Sequence, residues 1–199
     1  MTGTPPPVSP QPQLRLRRPL EAALPPELPL PAGFRVRPYA PGDEAAWARL
    51  LHENRELGDW DEARVRGMIA REEPKLLLEG AFFIERDGDL VATACTLRHH
   101  PAAPGRELLE IGWVGVAPSA RGRHLAYIIS RHLLAHWQPR VAADAFILTD
   151  DWRVPAVVTY LRLGFRPEIV HPNQVERWRR LANAFAGELR DWATPREDG

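Results

Sequence analysis

A single cysteine, Cys95, is all the thiol chemistry that the 199-residue sequence offers. Neither an internal disulfide nor a cysteine-built metal cluster can come from one cysteine, and no metal site is expected. A small buried hydrophobe is the expected role of Cys95, and the expected location of such a chain is the reducing cytoplasm. No stretch approaches the roughly 18 consecutive apolar residues of a membrane-spanning helix, so no membrane partner is expected. Net charge is also absent, since 26 Lys and Arg balance 26 Asp and Glu. That balance leaves no electrostatic footprint for nucleic acid. Arg15, Arg17 and Arg18 could open a secretory leader, but residues 20–26 hold Glu21, Pro25 and Pro26 and no small-residue cleavage site. The chain also lacks the Lys-plus-hydroxyl ending of a nucleoside-triphosphate loop and the Gly-x-Gly-x-x-Gly of a dinucleotide fold.

Proline, by contrast, is plentiful near the start. Nearly half of the 21 prolines fall in residues 1–33. Proline fixes φ and removes a backbone donor, so this density argues against helix and sheet ladders. Residues 1–33 therefore read as a Pro-rich, flexible, extended segment. A folded domain follows over residues 34–192, including a C-terminal amphipathic helix, and residues 193–199 form a tail.

Within the domain, Phe34-Arg35-Val36-Arg37 alternates as a half-buried strand does. Asp43 can cap a helix from Glu44, and residues 61–71 form a second short helix with Val65, Met68 and Ile69 on one face. Two apolar runs, 81–86 and 90–97, flank Asp87-Gly88-Asp89, a strong hairpin pattern. Residues 108–116 form another strand, interrupted by Gly112 and Gly115, where a bulge or a close ligand is expected. A helix over about 121–138 turns Leu125, Ile128, Ile129, His132, Leu133 and Trp137 inward. Residues 145–149 form a short buried strand. Asp150 or Asp151 can cap the next helix, Pro155 suits its first turn and Gly164 stops it. A strand over 165–170 precedes the last helix, marked by Val175, Trp178, Leu181, Phe185 and Leu189. Hairpins combined with strand–helix–strand units imply a mixed α/β sheet with helices on both faces.

The stretch that carries chemistry runs from Val114 through Ala126. A strand ends, a loop turns, and an amphipathic helix opens with Arg121-Gly122-Arg123. The first N–H groups of a helix have no internal partners and carry partial positive charge. Gly122 removes a side chain where a phosphate would approach, and Arg121 and Arg123 add full charges. The pattern fits a phosphate or pyrophosphate site. A solvated basic helix start would read the same way.

Here the sequence resembles the GNAT-type acyl-CoA N-acyltransferases. Their pyrophosphate signature is Gln or Arg, two residues, Gly, one residue, Gly or Ala, often after Val-x-Pro. Val116-Ala117-Pro118 and Arg121-Gly122 match it, and Ala126 takes a later small position. Ser119 stands at the usual Gln or Arg position, and His124 at the second Gly. Downstream, Val158-Thr159-Tyr160-Leu161-Arg162-Leu163-Gly164-Phe165 resembles the family's helix ending in Leu-Tyr, three residues, Gly-Phe. Ala156 also matches, while Arg153 replaces a common Asn. The resemblance covers about residues 34–170.

What the resemblance implies is a mostly antiparallel central sheet of about six strands and direct acetyl transfer from acetyl-CoA to a primary amine in a ternary complex. Cys95 is then not needed. Tyr160 is implied to protonate the departing thiolate. Glu110 is the candidate base, sharing a face with Val114 and Val116 if the strand is regular, and His99 and His100 are rival bases. Backbone N–H groups of Val114, Gly115 and Val116 are implied to hold the acyl carbonyl and pantetheine arm. Those of Arg121, Gly122, Arg123, His124, Leu125 and Ala126 are implied to hold the pyrophosphate of coenzyme A. Asp150, Asp151 and Arg153 lie where an acceptor could bind, and Trp60, Trp113 and Trp152 could line its pocket. The apolar face of the last helix could serve the core or a homodimer. The departures at Ser119, His124 and Arg153 leave a second reading open, a catalytically silent acyl-CoA-binding or regulatory domain. A protein-binding scaffold is a third.

Overall fold

The computed structural model describes residues 11–99 and 107–184. The elements run β1 (Leu14–Pro19), β2 (Phe34–Pro38), α1 (Glu44–Asn54), α2 (Glu62–Ala70), β3 (Lys75–Arg86), β4 (Asp89–Arg98) and β5 (Glu107–Val116). After a short 3-10 turn, Pro118–Ala120, come α3 (Leu125–Trp137), β6 (Ala143–Thr149), α4 (Val154–Arg162), β7 (Arg166–Glu168) and α5 (Gln174–Ala184). All seven strands form one sheet in the order β2-β3-β4-β5-β6-β1-β7. Only β5 and β6 pair in parallel.

The β3–β4 hairpin turns as its sequence demands. Asp87 and Gly88 both take positive φ, 53° and 90°. A two-residue turn with positive φ at both positions matches the right-handed twist of its strands. Helices α1 and α2 lie on one face of β3, β4 and β5, and α3 covers the other. Leu90 through Leu97 of β4 are therefore all buried. The inner face of α3 consists of Leu125, Ile129, Leu133, Leu134 and Trp137. His132, expected to point inward, is exposed and meets the edge of Phe82 instead, with ring centroids 4.6 Å apart.

The N-terminal expectation needs correction. Leu14–Pro19 is not a mobile tail but an internal strand, antiparallel to β6 on one edge and to β7 on the other. Leu14, Leu16 and Leu20 are fully buried. The stretch Leu14-Arg15-Leu16-Arg17-Arg18 holds no proline and alternates, so the surrounding prolines frame a strand rather than prevent one. Arg18 is buried as well, and its guanidinium donates to the carbonyl oxygens of Ala22 (2.9 Å) and Ala23 (2.7 Å).

Three further differences concern ends. β3 starts at Lys75, before the expected 81, and carries a register shift between Leu77 and Ala81. Neither Asp150 nor Asp151 caps α4: its N-cap is Arg153, with no side-chain bond. Asp43 stands at the N-cap of α1, but its carboxylate serves Arg37 and the Ala40 N–H rather than the helix. In α5, Trp178 and Leu181 turn into the core. Phe185, Leu189 and His100 lie outside the described residues. Among the described residues, no helix is long and apolar enough to cross a membrane.

Candidate active site

The site begins where two parallel neighbours separate. β5 and β6 are paired from Glu107 and Ala143 only as far as Glu110 and Phe146. Beyond that point β6 keeps its ladder with β1, while β5 runs on to Val116 along β4. The gap opens toward the start of α3 and α4. A cleft of about 490 Å³ fills it, lined by Val114 and Val116 of β5, residues 120–122 and 124–126, and Tyr160.

A bulge shapes the strand side of this cleft. Gly112 opposes Cys95 and Gly115 opposes Thr93, so both Trp113 and Val114 stand against Ala94 alone. Trp113 takes φ 51°, a conformation uncommon for a bulky side chain. The extra residue resets the alternation. Glu110, Gly112 and Gly115 face the α1–α2 side, while Val116, opposite Ala92, faces the other. Glu110 therefore does not share a face with Val116, contrary to the regular-strand expectation. A Cβ on Gly115 would meet the Leu57 side chain at 3.0 Å.

The loop before α3 presents backbone donors. Gly122 and His124 both have positive φ, 77° and 58°. Nothing lies within 4 Å of where a Gly122 Cβ would sit, so that surface is open to a ligand. His124 is the N-cap of α3 in a left-handed conformation, with an exposed side chain that makes no capping bond. Its N-terminal N–H groups thus remain free of a side-chain cap, as an anion site requires. The Arg123 guanidinium folds back on the carbonyls of Ser119 and Arg121, both at 3.2 Å. The Arg121 guanidinium instead reaches toward the Asn54 carbonyl and the Glu56 carboxylate, each at 3.3 Å.

Tyr160 sits in the last turn of α4, only 3% exposed, at the cleft wall. Burial pushes its phenol above the ordinary value of 10, and the nearby Arg153 cation works partly against that rise. The phenol is therefore a protonated donor at neutral pH.

Glu110 and His99 meet. Leu97 is the register partner of Glu110, and His99 follows two residues later on the same face. His99 Nε2 lies 2.7 Å from Glu110 Oε2. The His99 ring also stacks edge-on against Phe146, with centroids 5.2 Å apart. Residues expected to compete for one role are thus hydrogen-bonded partners at the apex of the β5–β6 gap.

The acceptor candidates divide. Asp151 is committed to Arg177 of α5, which draws its carboxyl below the ordinary range. Asp150 accepts from Gln13 at 3.1 Å. Trp60 and Trp113 pack edge to face at 4.6 Å, whereas Trp152 is 45% exposed and lines the cleft. Sequence reasoning missed Asn54 and Glu56, which reach the cleft from α1 and the turn after it. Asn54 donates to the Val116 carbonyl at 3.1 Å and fastens α1 to the end of β5. Its only sequence signal was a position at the end of an amphipathic helix. Among the described residues no group of three or more metal-ligating side chains assembles.

Comparison with known proteins agrees with this geometry. Residues 44–165 match the model of the acetyltransferase (GNAT) family. The mycothiol acetyltransferase of Thermomonospora curvata is 34% identical over 157 residues, covering 76% of this chain and 50% of that protein. That of Thermobispora bispora is 36% identical over 159 residues, covering 76% of this chain and 52% of that protein. The chain thus spans about half the length of these curated relatives. Among solved structures, a GCN5-related N-acetyltransferase from Sphaerobacter thermophilus shares the fold, with a TM-score of 0.61 and 22% identity over 79% of this chain and 50% of that one. A family model spanning most of the chain, together with a sheet that opens between β5 and β6 beside a helix start with no side-chain cap, makes this chain a member of the GNAT acetyltransferase family.

Proposed function

We propose that the protein transfers an acetyl group from acetyl-CoA to a primary amine, and that the amine is related to mycothiol, as the names of its relatives suggest. The observation that carries this reading is the cleft between the parted ends of β5 and β6, with free helix N–H groups at one end and Tyr160 in its wall.

The roles follow from chemistry. N–H groups at the start of α3 and the Arg121 guanidinium suit a pyrophosphate. Backbone N–H groups of β5 near Val114 and Val116, beyond the end of the β5–β6 pairing, suit the carbonyl oxygen of the thioester, whose charge grows as the amine adds. Glu110, hydrogen-bonded to His99, takes the amine proton as the new C–N bond forms. The C–S bond then breaks, and Tyr160 donates its proton to the thiolate. The proton held by Glu110 returns through solvent to the phenolate, so the net change is amine plus thioester to amide plus thiol. The thiol of Cys95 is fully buried and pushed up by burial, so a cysteine nucleophile has no place in this scheme.

Calorimetric titration with acetyl-CoA tests the first half, with desulfo-CoA and adenosine diphosphate as comparators. Saturable binding that weakens when Arg121 and Arg123 are changed to Glu is the expected result. An amine screen with bound acetyl-CoA tests the second half. Binding without turnover on any amine would instead favour a silent coenzyme-binding domain.

A further inference from the structure

The cleft already contains an anion of its own. Glu56, in the turn after α1, puts one carboxylate oxygen 3.3 Å from Arg121 and the other 3.4 Å from Arg153. Arg121 belongs to the loop before α3, and Arg153 opens α4, the helix that carries Tyr160. One carboxylate therefore spans the two sides of the cleft.

The arginines differ in what surrounds them. The Arg153 side chain is only 9% exposed, and its Nε forms no hydrogen bond despite being buried. The Glu56 contact at 3.4 Å is thus an ion pair without hydrogen-bond geometry. The guanidinium carbon lies over the Trp152 ring at 5.8 Å, but the buried Nε is left under-satisfied and calls for a closer anion. Arg121 is 48% exposed and reaches toward Glu56 and the Asn54 carbonyl. Both cations and the carboxylate line the same cleft as Gly122 and Tyr160. Tyr160 feels both charges, with Arg153 easing its deprotonation and Glu56 opposing it.

We propose that Glu56 is an internal stand-in for a phosphate: it occupies the anion position between Arg121 and Arg153 when the cleft is empty, and phosphate groups of the coenzyme displace it from Arg121 on binding. This inference rests on the proposed coenzyme reading and names the residue that competes with the coenzyme. The competition keeps Arg153 from standing as an uncompensated buried cation in the empty protein. It also makes the affinity for the anionic half of the ligand lower than two arginines and a helix N-terminus would otherwise give.

Calorimetry on the full chain tests this, comparing wild type with Glu56→Gln for three probes: coenzyme A, adenosine diphosphate and pantetheine. Removing the competing charge tightens coenzyme A and adenosine diphosphate roughly five- to tenfold at low salt, and the gain shrinks as salt rises. Pantetheine, which has no phosphate, is unchanged. Glu53→Gln removes the same charge one turn earlier and leaves all three affinities unchanged, which separates a local competitor from a general change of field. Unchanged or weaker coenzyme A binding in Glu56→Gln, with wild type binding normally, would overturn the stand-in role and leave the coenzyme reading intact. Equal tightening of pantetheine would overturn it as well, since Glu56 would then obstruct the arm rather than mimic a phosphate. No coenzyme binding by any variant would remove the coenzyme reading and this inference together.

Discussion

His99 and Glu110 meet across the β4–β5 pair through a single 2.7 Å hydrogen bond. The bond exists because His99 follows the register partner of Glu110 by two residues, which returns it to the same face. A carboxylate so held can orient the imidazole, and the imidazole can in turn share the proton that the carboxylate accepts. Glu110→Gln is expected to lower kcat by about a hundredfold, the scale of a lost general base. His99→Gln alone costs about tenfold, and the double variant is no slower than Glu110→Gln. Steady-state kinetics on all three variants checks the coupling; multiplying effects would mean independent roles.

Tyr160→Phe keeps the ring that packs in the core and removes only the hydroxyl. Turnover is expected to fall about a hundredfold while coenzyme affinity, read by calorimetry, stays within about twofold. Burial holds the phenol protonated above its ordinary value of 10. Loss of the donor therefore contributes no fall in wild-type activity until pH exceeds 10, and a steeper alkaline decline below that pH would assign the limb to another group.

Leu16 is fully buried in β1, between β6 and β7. Leu16→Ala should cost about 3 kcal/mol of stability, the middle of the range for a large-to-small change in a packed core. Urea unfolding measures it. A mobile N-terminal segment would give almost no change.

Gly80 lies where the backbone of β3 passes under α3. A Cβ there would come within 2.8 Å of both Thr96 Oγ1 and Trp137 Nε1, which are themselves joined by a 2.7 Å hydrogen bond. Gly80→Ala is expected to cost about 2 kcal/mol by overpacking and by disturbing that buried bond. Thermal unfolding of the variant checks it.

Arg37 gives this chain an acid-sensitive corner. It donates to Asp43 and to Glu85, and it holds both carboxyls below their ordinary values of 3.8 and 4.5. Groups depressed in the folded state contribute stability that is present above their unfolded values and lost as pH falls through the folded ones. The protein should therefore lose stability as pH drops below about 4.5, and Arg37→Gln should flatten that slope. Denaturant titrations at pH 3 to 6 would show either result.

The sequence disclosed much of this molecule because its local rules agree. The Asp87-Gly88 hairpin, the apolar face of α3 and the glycine that stops α4 each follow from residues close together in the chain. Gly122 and Tyr160 were legible through their motifs. What was hidden depended on distance. β1 pairs with strands more than a hundred residues away, and its proline-rich flanks outweighed five alternating residues. The bulge at Trp113 and Val114 left its mark as glycines, but only register against β4 could fix which face Glu110 takes. Glu56 carried no signal at all, since nothing in a turn after a helix announces the arginines it will meet.

The place of β1 between β6 and β7 has a consequence for how the chain assembles. Leu14 pairs with Thr149 and Arg15 with Glu168, so the earliest strand in the described chain finds both neighbours only after nearly all of the domain has been synthesised. Until then β6 and β7 cannot join one sheet, because β1 lies between them. Closure of such a distant pairing carries a large entropic cost and slows folding relative to the local hairpins. The β3–β4–β5 meander, built from neighbours in sequence, is the part that can form first. Capture of the waiting strand is the step expected to come last, and it completes the β6 side of the cleft.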